Sequence, residues 1–63
     1  MFKANTIEQY KILKFIEKNF ILDEVLLKAI DRNTIKLVDI NNNSLYFTLD
    51  DKGNVIYREE EEM

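Results

Sequence analysis

Three polar clusters punctuate the last two-thirds of the chain at even spacing: Asp31-Arg32-Asn33, Asn41-Asn42-Asn43 and Asp51-Lys52-Gly53. Each marks a reversal, because Gly and Asn tolerate left-handed backbone and Asp and Asn bond their own main chain. The segments between them alternate apolar and polar residues, the period of a half-buried strand. Short strands joined by tight turns pair with their sequence neighbours, so the pattern predicts an antiparallel meander.

The register follows from the turns. With a three-residue loop at each reversal, Asn33, Asn43 and Gly53 take the left-handed position. Ala29 then opposes Ile35, Leu37 opposes Phe47, and Leu49 opposes Val55. Directly opposed residues share a face. One face collects Val25, Leu27, Ala29, Ile35, Leu37, Leu45, Phe47, Leu49, Val55 and Tyr57, with Asp39 its one polar member. The other collects Leu26, Lys28, Ile30, Lys36, Val38, Ile40, Tyr46, Thr48, Ile56 and Arg58. A slip of one residue at any turn scatters the apolar set across both faces.

Ahead of the meander, Thr6 and Gln9 have the spacing of a capping box, with Asn5 an alternative cap. At 100° per residue, Ile12, Leu13, Ile16 and Phe20 form one stripe with Phe15 on its shoulder, while Lys11, Lys14 and Lys18 lie opposite. The expected architecture is therefore α+β: a helix over 6–20 packed on one face of strands near 22–30, 34–40, 44–50 and 54–59, in order 1-2-3-4. The predicted core is Ile12, Ile16, Phe20, Leu27, Leu37, Phe47 and Leu49. The runner-up makes 22–30 a second helix, since Leu, Lys and Ala favour one there, and leaves three strands. Residues 1–58 form one domain, 59–63 form an acidic tail without structure, and no internal repeat is evident.

At 63 residues the core is small, typically worth ~3–5 kcal/mol. Cysteine and histidine are both absent, which removes disulfides and the usual zinc, haem and iron–sulfur ligand sets. No cofactor or metal is expected. Oligomerisation is the remaining support for so small a core. No basic-then-apolar leader and no apolar run of ~20 residues is present, so a cytoplasmic location is expected. The net charge of −3 is concentrated at one end: without Glu59–Glu62, nine basic residues face eight acidic ones.

No catalytic constellation is visible. Ser44 is the single serine and adjoins a turn, with no base to activate it. Asp50 and Asp51 suggest a metal site, but Lys52-Gly53-Asn54 makes the stretch a hairpin turn without the spaced oxygen ligands of a calcium loop. Asn42-Asn43-Ser44 matches a glycosylation pattern that has no meaning without a secretory route.

The expected function is a non-catalytic interaction module, a small regulatory or accessory protein. It is expected to self-associate through the second face, where Leu26, Ile30, Val38, Ile40, Tyr46 and Ile56 form the interface. One alternative is a nucleic-acid platform with Tyr46 amid Lys28, Lys36 and Arg58. Another is an acidic inhibitor in which Glu59–Glu62 imitates a phosphate backbone.

Overall fold

In the computed structural model of the chain, which describes residues 2–59, Thr6 starts the helix as its side chain dictates. Its backbone is extended and its hydroxyl oxygen accepts from the Gln9 amide at 3.0 Å, so helix α1 spans Ile7–Asn19. Glu8 in the first turn and Lys18 in the last complement the helix dipole. At the other end Phe20 is again extended, and its amide donates to Ile16 O at 2.8 Å.

Four strands follow: β1 (Leu26–Asp31), β2 (Thr34–Val38), β3 (Ser44–Leu49) and β4 (Val55–Glu59). They form one antiparallel sheet in the order β1-β2-β3-β4. The meander and its single helix are as the turn spacing predicts. The stretch 22–30 is neither one long strand nor a second helix. Leu22–Glu24 is a single 3-10 turn, closed by Glu24 N to Ile21 O at 2.9 Å, and the strand begins only at Leu26. Asp23 and Glu24 delay the pairing, being poor strand residues. No helix among the described residues is long and apolar enough to cross a membrane.

The turns depart from expectation in an instructive way. The β3–β4 turn has Gly53 at φ 84°, and Leu49 opposes Val55 as predicted. In the β2–β3 turn the left-handed residue is Asn42, at φ 67°, and not Asn43. That single-residue displacement moves the register by two, so Leu37 opposes Leu45 and Phe47 opposes Ile35. A shift of two preserves the side on which every residue lies. The β1–β2 connection is tighter than predicted. Asp31 pairs with Thr34 across the two residues Arg32 and Asn33, and a bulge between Ala29 and Asp31 absorbs the difference. Asn33 therefore has no left-handed backbone, while Ala29 still opposes Ile35.

The two longer turns are copies of one another, a repetition the even spacing hides. In each, an Asp carboxylate straps the loop. Asp39 Oδ1 accepts from the amides of Asn41 and Asn43, both at 2.9 Å. Asp50 Oδ1 accepts from Lys52 and Asn54 at 2.9 and 2.8 Å. Asp39 is thus a turn residue and not a member of the inner face. Backbone donation, from Asn43 to Asp39 and from Asn54 to Asp50, is the largest cause holding both carboxyls below the ordinary aspartate value.

Alternation puts Ile35, Leu37 and Phe47 beneath Ile12 and Ile16 of the helix, and these five are fully buried. Ile35 joins the core because the shifted register sets it against Phe47; Phe20, Leu27 and Leu49 are only half-buried. Phe47 is the hub, with the rings of Phe15, Phe20 and Tyr57 at 6.0, 5.9 and 5.6 Å. Each buried side chain of this size stabilises by roughly 1.5–3 kcal/mol. The helix lies over β2, β3 and β4, so the inner side of β1 is poorly covered and Ala29 is exposed.

A polar clasp fixes the helix along the sheet. Gln9 is buried; its Nε2 donates to Asp31 O at 2.7 Å and its Oε1 accepts from Asn5 N at 2.8 Å. The Thr6 hydroxyl donates to Arg32 O at 2.7 Å. The capping pair Thr6 and Gln9 therefore also docks the helix start onto the β1–β2 turn.

Candidate functional site

The side of the sheet away from the helix consists of three cross-strand rows. Leu26, Val38 and Ser44 form one margin, and Asp31, Thr34, Thr48 and Ile56 form the other, with Ile30 at the bulge beside Asp31. Between them runs a row with one residue from each strand: Lys28, Lys36, Tyr46 and Arg58. With strands ~4.8 Å apart, that row crosses the sheet over about 14 Å. Among the described residues one outward strand position carries a carboxylate, Asp31 at the end of β1 opposite Thr34, and its Oδ1 accepts from the Asn33 amide at 2.8 Å; the central row carries none. The other described acidic residues lie on the helix, in the 3-10 turn, in the hairpin turns and at the end of β4.

The sheet register brings together all four of Lys28, Lys36, Tyr46 and Arg58, which the sequence scatters over 31 positions. Lys36 Nζ stands 5.6 Å from the centre of the half-buried Tyr46 ring, within cation–π range. Beside Tyr46, a shallow depression of about 340 Å³ is lined by Thr34, Thr48, Ile56, Tyr57 and Arg58.

The expected apolar interface is only partly assembled. Leu26 (73 % exposed), Ile30 (45 %) and Ile56 (47 %) are open to solvent, and Val38 is half-buried, all on this side. Ile40, 79 % exposed, belongs to the β2–β3 turn because Asp39 closes that turn, so it does not extend the strand face. Nor is the face apolar at its centre with charges at its margins. Its charges cross the middle and its aliphatic residues flank them.

Other candidates resolve into structural roles. Ser44 opens β3 opposite Val38, on the outer side and away from any His or Cys, neither of which occurs in the chain. The Asp50 carboxylate is engaged by its own turn, and among the described residues no cluster of His, Cys, Asp or Glu suits a metal ion. On the helix, Glu17 lies 3.5 Å from Lys14 and is the largest cause of the raised pKa of that lysine, which breaks up the basic stripe. Of the acidic run, Glu59 ends β4 opposite Leu45, and the rest lies outside the described residues.

The sequence pattern misses one opening. A groove of about 580 Å³ runs between α1 and β1, lined by Phe2, Leu13, Glu17, Leu22, Asp23, Val25, Leu26 and Leu27. It exists because the helix sits over the later strands, an offset that apolar periodicity does not encode. Comparison of the chain with protein-family models, with curated proteins and with solved structures found no match.

Proposed function

We propose that this chain is a non-catalytic interaction module whose outer sheet face is its recognition surface. The supporting observation is the face itself. Leu26, Ile30 and Ile56 stand open around a central half-buried Tyr46, and no described element of the chain covers them. Aliphatic groups left in water on a sheet whose other side already holds the core signify a surface kept for a partner. The non-catalytic part of the reading is supported by a chain without His or Cys and by the engagement of the Asp39 and Asp50 carboxylates in their own turns.

Polar replacement tests the proposal without knowledge of the partner. A variant combining Leu26→Ser, Val38→Thr and Ile56→Thr should fold with a summed change near or below ~1.5 kcal/mol, since surface positions usually shift stability by no more than about 0.5 kcal/mol each. Urea denaturation decides it. A loss matching that of a core substitution would assign the face to the fold and remove the proposal.

A further inference from the structure

We infer that the occupant of the outer face is single-stranded nucleic acid, held along the Lys28–Lys36–Tyr46–Arg58 row. The inference rests on the outer face being a binding surface, and charge decides the occupant. In a chain of net charge −3, three cations converge on one central row that holds no carboxylate, the face's outward Asp31 lying at its margin. A concentration of like charge against the sign of the whole molecule favours a polyanion.

A second copy fits less well. Two-fold packing of this face on itself about an axis through its centre brings the central rows together and gathers six cations in one interface, from Lys28, Lys36 and Arg58 of each copy. Buried charges need partners; of the nearby carboxylates, Asp31 sits at the margin and is engaged by the Asn33 amide, and Glu24 stands in the 3-10 turn before β1, off the sheet. A phosphate backbone supplies the counter-charges at every nucleotide instead.

The geometry also selects a strand with unpaired bases. Tyr46 stands on the inner strand β3 of the face, and it borders the depression lined by Thr34, Thr48 and Ile56. An aromatic ring on a sheet stacks a splayed base, and hydroxyls beside it can meet base edges. A duplex keeps its bases stacked on each other and offers such a ring nothing. Lys36 Nζ, 5.6 Å from the ring centre, shows that a cation and the ring already share that space, so a nucleotide can engage both at once.

The test uses the full 63-residue chain and a fluorescently labelled 20-nucleotide oligothymidylate, read by anisotropy. Three phosphates neutralised on a single strand give a log–log salt slope of about −2, hence roughly twentyfold weaker binding between about 50 and 200 mM salt. Tyr46→Ala should weaken binding roughly fivefold or more, while Tyr46→Phe, which keeps the stacking surface, should retain it. Lys36→Glu should lower affinity and flatten the salt slope. An unlabelled duplex should compete less well than an unlabelled single strand.

Other results overturn the inference. Binding that survives Tyr46→Ala and Lys36→Glu but is lost in the triple variant Lys11→Glu, Lys14→Glu and Lys18→Glu moves the anion site to the helix. Duplex competing as well as single strand reduces the face to unspecific electrostatics. No oligonucleotide binding, with a sedimenting dimer that Val38→Lys dissociates, assigns the face to a second copy and leaves the interaction module standing. Absence of both binding and association removes the nucleic-acid reading, while the polar-replacement variant still judges the face by itself.

Discussion

The two sides of this sheet are built from the same strands, alternate residues of each going to opposite faces, yet they do different work. The inner side gathers Ile35, Leu37 and Phe47 under Ile12 and Ile16 until all are dry. The outer side interrupts its aliphatic residues with a file of cations and a tyrosine. Among the described residues one α-helix packs on the sheet, and it covers one side. The uncovered side is then released from packing constraints, and what selects its residues is whatever meets it. The contrast also locates the tolerance of the molecule: mutations inside act on stability, and, on the proposed function, mutations outside act on binding.

The sharpest break in that contrast is Phe47→Ala. It removes the hub of three ring contacts and should cost about 3–5 kcal/mol, most of what such a domain possesses, so that urea or thermal unfolding shows a largely unfolded chain at 25 °C. Gln9→Ala comes next. It leaves the Asp31 carbonyl and the Asn5 amide without their partner, at about 1–3 kcal/mol, and should loosen the helix from the β1–β2 turn, visible as faster amide exchange in α1.

The turns supply a finer test, since they maintain the separation of the faces. Gly53→Ala should cost about 1 kcal/mol through its φ of 84° alone, because an added Cβ meets nothing within 4 Å. Asn42→Gly, at the matching position of the sister turn, should change stability by no more than about 0.5 kcal/mol. A large loss there would mean that the Asn42 side chain, and not its backbone freedom, holds the turn.

Acid gives the smallest effect. Asp39 and Asp50 are depressed in the folded chain, so the stability they lend is complete above the unfolded aspartate value of about 3.9 and is lost as pH falls through their lower folded values. Stability measured from pH 6 down to pH 3 should fall less in a double Asp39→Asn, Asp50→Asn variant, and an unchanged acid profile would refute the straps as its source.

How the faces are legible in the sequence, and the contacts less so, follows from the same turns. Gly53 identifies its own left-handed position, and the β3–β4 register is read correctly. Asn41, Asn42 and Asn43 are chemically alike, so nothing in composition says which adopts φ 67°. The cue lies one step earlier: Asp39 stands four residues before Asn43 as Asp50 does before Asn54, and that strap selects Asn42. Because displacement of a loop by one moves the register by two, the assignment of sides survives while the pairings of Leu37 and Phe47 do not. The candidate row depends on pairings. Its members can be proposed from parity, but that Lys28, Lys36, Tyr46 and Arg58 stand in one line required the observed register. Ile40 shows the converse, since alternation assigns it to a face that its turn withholds. The position of the helix over β2–β4, and with it the groove beside β1, is a matter of docking that no periodicity encodes.

The clasp between the helix start and the β1–β2 turn also has a bearing on the order of assembly. Every strand pairs with its immediate successor across a connection of two or five residues, whereas Thr6 and Gln9 reach across 26 and 22 residues to Arg32 and Asp31. Closing short loops costs less entropy than closing long ones, so the hairpins can form before the helix is recruited. The helix would then behave as a late latch, fastened to a sheet already in register and the first element to come away. In a kinetic experiment, substitutions in the Asp50 turn should slow refolding, and Gln9→Ala should chiefly speed unfolding.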